Sequence, residues 1–169
     1  MTEADPTSSG GLATSGSSNG GCSKSTGQVY VRGKTYSGRY AIMYSWYMPK
    51  DSPSTGLGHR HDWENIVIWL SSQSTSASVV GMAVSQHSGY EARTSGTFSG
   101  NSPLAGYTAS WPVNHHIVFT NEKGGQQPLV AWESLTDAAR TALTNTDFGD
   151  ANVPFKDDNF DRNLGKAAV

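Results

Sequence analysis

The sequence predicts a mainly β protein, a β-sandwich with peripheral helices. Short stretches rich in β-branched and aromatic residues recur along the chain, and Gly, Ser and Pro separate them. The 19 glycines among 169 residues are typical of a loop-rich β protein. One clear helical pattern comes late. Strands in series followed by a helix indicate packed sheets with helices at their periphery.

Six stretches are predicted to be strands because their residues suit a half-buried, pleated surface. They are QVYVRGKTY (28–36), YAIMYSWYM (40–48), WENIVIWLS (63–71), SVVGMAVSQH (78–87), HHIVFTN (115–121) and QPLVAWE (127–133). The segments 49–59 and 95–114 have the Gly, Pro and Ser content of connecting loops.

One helix is predicted over SLTDAARTALTNT, residues 134–146. Ser134 and the acid three residues later, Asp137, resemble a capping box, and Asp137 also suits the positive end of the helix dipole. An apolar stripe at helical spacing follows, formed by Leu135, Ala138, Ala139, Ala142 and Leu143. The acidic tail, 150–169, is predicted to be turn-rich and to lie over the surface.

The chain length corresponds to a single domain, which we place at residues 22–169. Residues 1–21 are rich in Gly and Ser and predict a flexible N-terminal segment. Cys22 is the one cysteine, and it is either an idle thiol or half of a disulfide whose partner is not in this chain. The net charge of -2, without a basic cluster, excludes a nucleic-acid footprint. The longest apolar run, Ile66 to Leu70, is far shorter than the ~20 residues of a membrane-spanning helix.

The heptapeptide GHRHDWE, residues 58–64, concentrates charge in a chain of which only 15% is charged. Asp62 and Glu64 are two residues apart, so they share one face of a strand. Asp51, at the other end of the preceding loop, could close onto that face. Three carboxylates with a few waters suit Ca²⁺ or Mg²⁺, and without a cation their repulsion would be costly. The pattern predicts a divalent-cation site at which His59 could hold a metal-bound water.

Other interpretations of the heptapeptide stay open. His59 and His61 would share a strand face, as in cupin-type metal enzymes, but alternation would send Glu64 to the opposite face unless a bulge intervened. Asp62 and Glu64 could form a glycosidase-like pair, since neighbours on one strand face are ~6–7 Å apart. The motif could also be a solvated strand entrance, with Arg60 in surface ion pairs of little energetic value.

The stretch 41–70, with the heptapeptide inside it, resembles the signature region of the necrosis- and ethylene-inducing-peptide-like proteins, the NLP cytolysins of plant-associated microbes. The Gly-rich stretch before Cys22 and the region VAWESLTDAA resemble the same family, so the resemblance covers nearly the whole chain. It implies a secreted, non-enzymatic toxin and virulence factor with a β-sandwich similar to actinoporins and some fungal lectins.

The resemblance also implies partners and site residues. The partners are glycosyl inositol phosphoryl ceramide sphingolipids of the plant plasma membrane, whose damage causes necrosis in eudicots, and plant immune receptors that could detect the protein. By motif, Asp51, His59, Asp62 and Glu64 correspond to an acidic metal cavity that holds a divalent cation, Ca or Mg. Trp111 and His115 resemble a membrane-facing Trp and a cavity-rim His. Non-toxic homologues exist in the family, so a binding-only protein or an immune-recognised pattern is the alternative.

Overall fold

The computed structural model describes residues 10–16, 27–54, 56–87, 89–110 and 114–169. Within them the chain forms ten strands and two α-helices. They are β1 (Val29–Tyr36), β2 (Arg39–Asp51), β3 (His59–Leu70), β4 (Val79–Gln86), β5 (Gly89–Arg93), β6 (Phe98–Ser99), β7 (Ser102–Pro103), β8 (Ala105–Ser110), β9 (Asn114–Phe119), β10 (Leu129–Ala131), α1 (Asp137–Asn145) and α2 (Asp157–Lys166). No helix in the described parts of the chain is long and apolar enough to span a bilayer.

A six-stranded sheet in the order β10-β1-β2-β3-β4-β5 forms the centre of the molecule. Its neighbours are antiparallel, except that β10 pairs with β1 in parallel. Every residue of β3 from Trp63 to Trp69 is buried, so both faces of the sheet are covered at its middle. Fully burying a large apolar side chain stabilises a fold by roughly 1.5–3 kcal/mol, so the buried apolar residues of this run are an important part of the core.

Two apolar clusters lie on the two faces of the sheet. On one face, the sheet packs against the hairpin of β8 and β9; the buried members are Ile66, Ile68, Met82, Val84 and Ile117. On the other face, it packs against the C-terminal tail and the turn after β10; the buried members include Val67, Trp69, Trp132, Phe155, Phe160 and Leu164. This arrangement confirms the predicted fold class, a β-sandwich with peripheral helices.

The predicted strands are all present, although some of their limits differ. The third begins at His59 instead of residue 63, because residues 59–62 still pair with the end of β2. The last is shortened to three residues, since a 3-10 turn, Trp132–Ser134, follows it at once. The loop predicted over 95–114 is wrong, because it contains β6, β7 and β8. The small residues of β8, AGYTAS, give little local strand signal, and β9 supplies the pairing.

The helices show one confirmed prediction and one error. The helix predicted over 134–146 is present as α1, but its N-cap is Thr136, whose hydroxyl accepts a 3.2 Å hydrogen bond from the Ala139 N–H. The capping role given to Ser134 is therefore wrong. The tail is not turn-rich surface chain: it forms α2, which buries Phe160 and Leu164, one turn apart, against the sheet.

Part of the predicted N-terminal segment lies against the end of β2 and the loop that follows it. The Leu12 N–H donates to the Pro49 carbonyl at 2.7 Å, and the Gly56 N–H donates to the Thr14 carbonyl at 2.8 Å. The rest of residues 1–21, together with Cys22 and Trp111, lies outside the described residues.

Candidate functional site

A polar cavity of about 430 Å³ opens where β2 ends and β3 begins. All four predicted metal ligands line it, and β9 contributes His115: the set is Asp51, His59, Asp62, Glu64 and His115. The C-terminal tail supplies further polar side chains to the lining, among them Asp150, Asn152, Asn159, Arg162 and Asn163. The structure thus brings the predicted carboxylates and one imidazole of the heptapeptide into a single cavity.

The first residue of the heptapeptide, Gly58, allows Asp51 and His59 to meet. These two residues are paired across the β2–β3 hairpin, and the turn between them brings Gly58 onto the Asp51 backbone. Gly58 has a φ of +93°, and a Cβ at this position would lie 2.1 Å from the Asp51 carbonyl oxygen. A residue with a side chain is disfavoured both by this φ and by the clash, so glycine is required here.

The backbone of β3 is irregular at His61, which has a φ of +60°. This left-handed conformation is uncommon for a residue with a side chain, and it interrupts the alternation of faces along the strand. As a result His59 lines the cavity with Asp62 and Glu64. His61 instead bonds the Tyr47 hydroxyl at 2.7 Å and packs on the Phe148 ring. The prediction that the two imidazoles share a face is wrong, and no cupin-like His pair forms.

Asp51 is 3% exposed and lies between two imidazoles. Its Oδ1 is 2.6 Å from His115 Nδ1, its Oδ2 accepts the His115 backbone N–H at 3.3 Å, and His59 Nε2 is 3.8 Å from Oδ2. The His59 Nδ1–H donates to the His61 carbonyl at 2.8 Å, so the nitrogen that faces Asp51 is Nε2. A backbone carbonyl that orients an imidazole through one nitrogen is the usual support for a ligand that binds through the other.

Asp62 is held by hydrogen bonds from its own strand and from β8, and Glu64 by a hydrogen bond from β4. Asp62 Oδ1 accepts the Trp63 N–H at 2.8 Å and its Oδ2 accepts the Tyr107 hydroxyl at 3.1 Å. Glu64 Oε2 accepts the Ser85 hydroxyl, which in turn accepts the Asn65 N–H at 2.9 Å. Both carboxylates therefore have fixed directions within the cavity.

Burial and mutual repulsion make these carboxylates weaker acids. Burial, followed by the charges of Asp62 and Asp51, raises the pKa of Glu64 to about 9. Burial and then the charge of Asp51 also raise the pKa of Asp62. Burial alone would lower the pKa of His59, but hydrogen bonds to the carbonyls of His61 and Arg60 and the charges of Asp51 and Asp62 raise it. The cavity therefore concentrates negative charge that a cation or protons can neutralise.

The donor set fits a hard divalent cation. Carboxylate oxygens are the ligands that Ca²⁺ and Mg²⁺ prefer, and these ions take six or more oxygens. Across the described residues, no group of three or more Asp, Glu, His or Cys side chains is arranged so that it could hold a metal ion as it stands. If a cation binds here, Asp51, His59, Asp62 and Glu64 are the cavity side chains that would hold it, and water or a bound ligand would have to complete the shell.

The other predicted site residues divide between wall, core and surface. His115 is 3% exposed, so it belongs to the cavity wall, and its predicted contact with a lipid head group stays a prediction. Trp63 is buried in an aromatic cluster; its ring neighbours are Tyr30, Tyr47, Phe148 and Phe155. Arg60 is exposed and donates to the Gly10 carbonyl at 3.2 Å. Four of the seven heptapeptide residues thus line the cavity: His59, Asp62, Trp63 and Glu64.

Two residues of the site carry no signal in the sequence. Tyr107 and Ser85 bond Asp62 and Glu64 from positions 45 and 21 residues away along the chain. The Tyr107 ring also stacks on the His115 ring, with centroids 4.6 Å apart and an interplanar angle of 11°. Pairing of β4 with β3 brings Ser85 to Glu64, and packing of the β8–β9 hairpin on the central sheet brings Tyr107 to Asp62.

Comparison with known proteins, by sequence and by structure, finds necrosis-inducing and NLP proteins. The family described as necrosis inducing protein (NPP1) matches residues 2–167. Necrosis-inducing protein NPP1 of Phytophthora nicotianae is 53% identical over 173 residues, covering 98% of this chain and 73% of that protein. The structure of NLPPya in complex with mannosamine has a TM-score of 0.86 at 52% identity, over 95% of this chain and 76% of that one. The crystal structure of non-toxic HaNLP3 has a TM-score of 0.86 at 41% identity, over 95% and 77% of the two chains.

Proposed function

The chain belongs to the necrosis inducing protein (NPP1) family, and we propose that it is a secreted, non-enzymatic cytolytic toxin that binds plant sphingolipid head groups through a divalent cation in the acidic cavity. The observation that carries this proposal is the convergence of Asp51, Asp62 and Glu64, with His59, on one cavity. A cation among three carboxylates that line one cavity would neutralise the negative charge that they carry when ionised.

Asp51, His59, Asp62 and Glu64 would hold the cation, and it would offer open coordination positions to the hydroxyl and phosphate oxygens of a head group. The protein's own residues keep these donors in place. His115 fixes both oxygens of Asp51, the His61 carbonyl orients the His59 ring, and Ser85 fixes Glu64. None of these groups forms or breaks a covalent bond in this proposal.

The ligand class we propose is the glycosyl inositol phosphoryl ceramide of the outer plasma membrane. Its head group combines sugar hydroxyls with a phosphate, both of which are oxygen donors for Ca²⁺ or Mg²⁺. The related NLPPya forms a complex with mannosamine, which supports a sugar-containing ligand for this chain. The polar side chains of the tail that line this cavity, such as Asn152, add hydrogen-bonding groups for hydroxyls.

Membrane damage is the proposed outcome of binding. Trp111 lies outside the described residues, and we assign it to the lipid interface because an indole ring favours the boundary between acyl chains and water. Death of eudicot cells would then follow from loss of the plasma-membrane barrier.

A non-toxic homologue is the second candidate. The fold does not distinguish a toxin from a non-toxic homologue, since non-toxic HaNLP3 has a TM-score of 0.86 with this chain. Such a protein would bind its ligand or be recognised by immune receptors without lysis. A cupin-like metal enzyme gains no support, because the His61 ring lies against Tyr47 and Phe148 and not with His59.

Sedimentation with vesicles tests the proposed ligand and its cation together. Vesicles of phosphatidylcholine with plant glycosyl inositol phosphoryl ceramide should retain the protein in Ca²⁺ or Mg²⁺ and release it in EDTA, while pure phosphatidylcholine vesicles should not retain it. Asp62→Asn should lose retention. Asp161→Asn, which removes an exposed carboxylate paired with Lys34, is the matched control and should bind normally. Retention that persists in EDTA or in folded Asp62→Asn would refute the cation-mediated site.

A further inference from the structure

The β8–β9 hairpin holds two of the cavity's carboxylates through two stacked side chains. The Tyr107 hydroxyl, on β8, donates to Asp62 Oδ2 at 3.1 Å. His115 Nδ1, on β9, is 2.6 Å from Asp51 Oδ1. The two rings are nearly parallel, with centroids 4.6 Å apart. Because His115 pairs with Ala109, two residues from Tyr107, the rings are diagonal neighbours on one face of the hairpin.

This stacking links the positions of the two carboxylates. Asp62 is fixed at Oδ1 by the Trp63 N–H and at Oδ2 by Tyr107, so it has one bond from its own strand and one from the hairpin. Without the hydroxyl, Asp62 would keep only the local bond to Oδ1 among the hydrogen bonds of the described residues, and its carboxylate could rotate. The ring of Tyr107 meanwhile limits rotation of the His115 ring, which holds Asp51.

We propose that Tyr107 is a positioning residue of the cation site: its hydroxyl sets the direction of the Asp62 carboxylate, and its ring keeps His115, and through it Asp51, aligned with Asp62. This inference rests on the proposed function, because it assumes that the two carboxylates bind a cation. Partners that orient metal ligands without touching the metal typically change metal affinity by ~10–100-fold when they are removed.

Gln86, at the end of β4, offers a matched control for Tyr107, because it also contacts the hairpin. The Gln86 side chain donates from Nε2 to the Ile117 carbonyl at 2.7 Å, so it also holds β9 to the central sheet. It has no hydrogen bond to the three carboxylates among the contacts described. Gln86→Met therefore loosens the same hairpin without altering the bonds to Asp62 or Asp51.

Titration calorimetry with Ca²⁺ and with Mg²⁺ tests the inference on the full chain, after circular dichroism confirms that each variant is folded. Tyr107→Phe keeps the stacked ring and removes only the hydroxyl, and it should weaken cation binding by about 10-fold. Tyr107→Leu removes the aromatic ring as well and should weaken cation binding further. Cation affinity should therefore be higher in Tyr107→Phe than in Tyr107→Leu. Gln86→Met should lower the urea midpoint yet bind the cation as the unchanged protein does.

The possible failures are distinguishable. If the unchanged protein binds neither cation, the proposed function and this inference both fall. If it binds a cation and Tyr107→Phe binds equally well, the positioning role is wrong while the proposed cation site stands. If Gln86→Met weakens binding as much as Tyr107→Phe, general loosening of the hairpin explains the effect and the specific role of Tyr107 is refuted.

Discussion

Gly58 provides the most specific prediction about how the heptapeptide builds the cavity. In Gly58→Ala, the new Cβ would lie 2.1 Å from the Asp51 carbonyl oxygen at a φ of +93°. An L-residue in this left-handed region costs roughly 1–2 kcal/mol. Heavy atoms in favourable contact are ~3.5 Å apart or more, so the backbone must move by about 1 Å, and forced overpacking of this kind costs a further ~1–3 kcal/mol.

Gly56, in the same loop, separates these two contributions. It also has a positive φ, +82°, but a Cβ there would meet nothing within 4 Å. Gly56→Ala should therefore cost only the conformational part, roughly 1–2 kcal/mol. Urea denaturation of both variants measures the difference, which we expect to be ~1–3 kcal/mol, the overpacking cost alone.

The two variants should also differ in cation affinity. Displacing the Asp51 backbone moves its carboxylate away from His115 and the other carboxylates, so Gly58→Ala should bind Ca²⁺ more weakly than Gly56→Ala. Calorimetry on both folded variants measures this. Equal stability losses, together with equal cation affinities, would refute the conclusion that close approach to Asp51 makes glycine necessary at position 58.

Three further predictions concern the core, a helix cap and the pH dependence of stability. Phe160→Ala should lower the free energy of unfolding by ~3–5 kcal/mol, because this ring is 2% exposed. Asp161→Ala, on the solvent side of α2, is the control and should have little effect. A loss below ~1 kcal/mol for Phe160→Ala would contradict the burial of the tail in the core. Thr136→Val should lower the free energy of unfolding by ~1 kcal/mol, because it removes the acceptor of the hydrogen bond from the Ala139 N–H. The control is Thr141→Val, which changes an exposed threonine of the same helix. Equal urea midpoints for the two variants would contradict the capping role of Thr136. In EDTA the unchanged protein should lose stability as the pH rises from 5 to 8, because folded Glu64, with its pKa raised from 4.5 to about 9, retains a proton that the unfolded chain releases. Glu64→Gln should reduce this slope in denaturation curves measured across the same range, and an unchanged slope would contradict the assignment.

The central strands were predictable because their sequences determine them locally. The stretches that became β1 to β4 are rich in β-branched and aromatic residues, which suits strands covered on one or both faces. The helix α2 has only two strongly apolar side chains on its buried face, Phe160 and Leu164, among charged and polar residues. This helix is stabilised by packing on the sheet, and its local sequence pattern does not predict that packing.

The cavity was predictable in composition but not in geometry. The spacing of Asp62 and Glu64 placed them correctly on one strand face, and both line the cavity. The position of His59 depends on the left-handed backbone of His61, which simple alternation does not include. Tyr107 comes from a strand far along the chain, so its bond to Asp62 depends on how the β8–β9 hairpin packs on the central sheet.

Dye leakage from eudicot plasma-membrane vesicles tests the central claim most directly. The folded protein should release the dye in Ca²⁺ or Mg²⁺, stop when excess EDTA is added, and resume when the cation is restored. Asp161→Asn should behave as the unchanged chain does, since Asp161 lies on the surface and pairs with Lys34. Leakage that continues undiminished in EDTA would contradict a cation-mediated toxin, and a folded protein that binds the vesicles but never releases the dye would identify the chain as a non-toxic homologue.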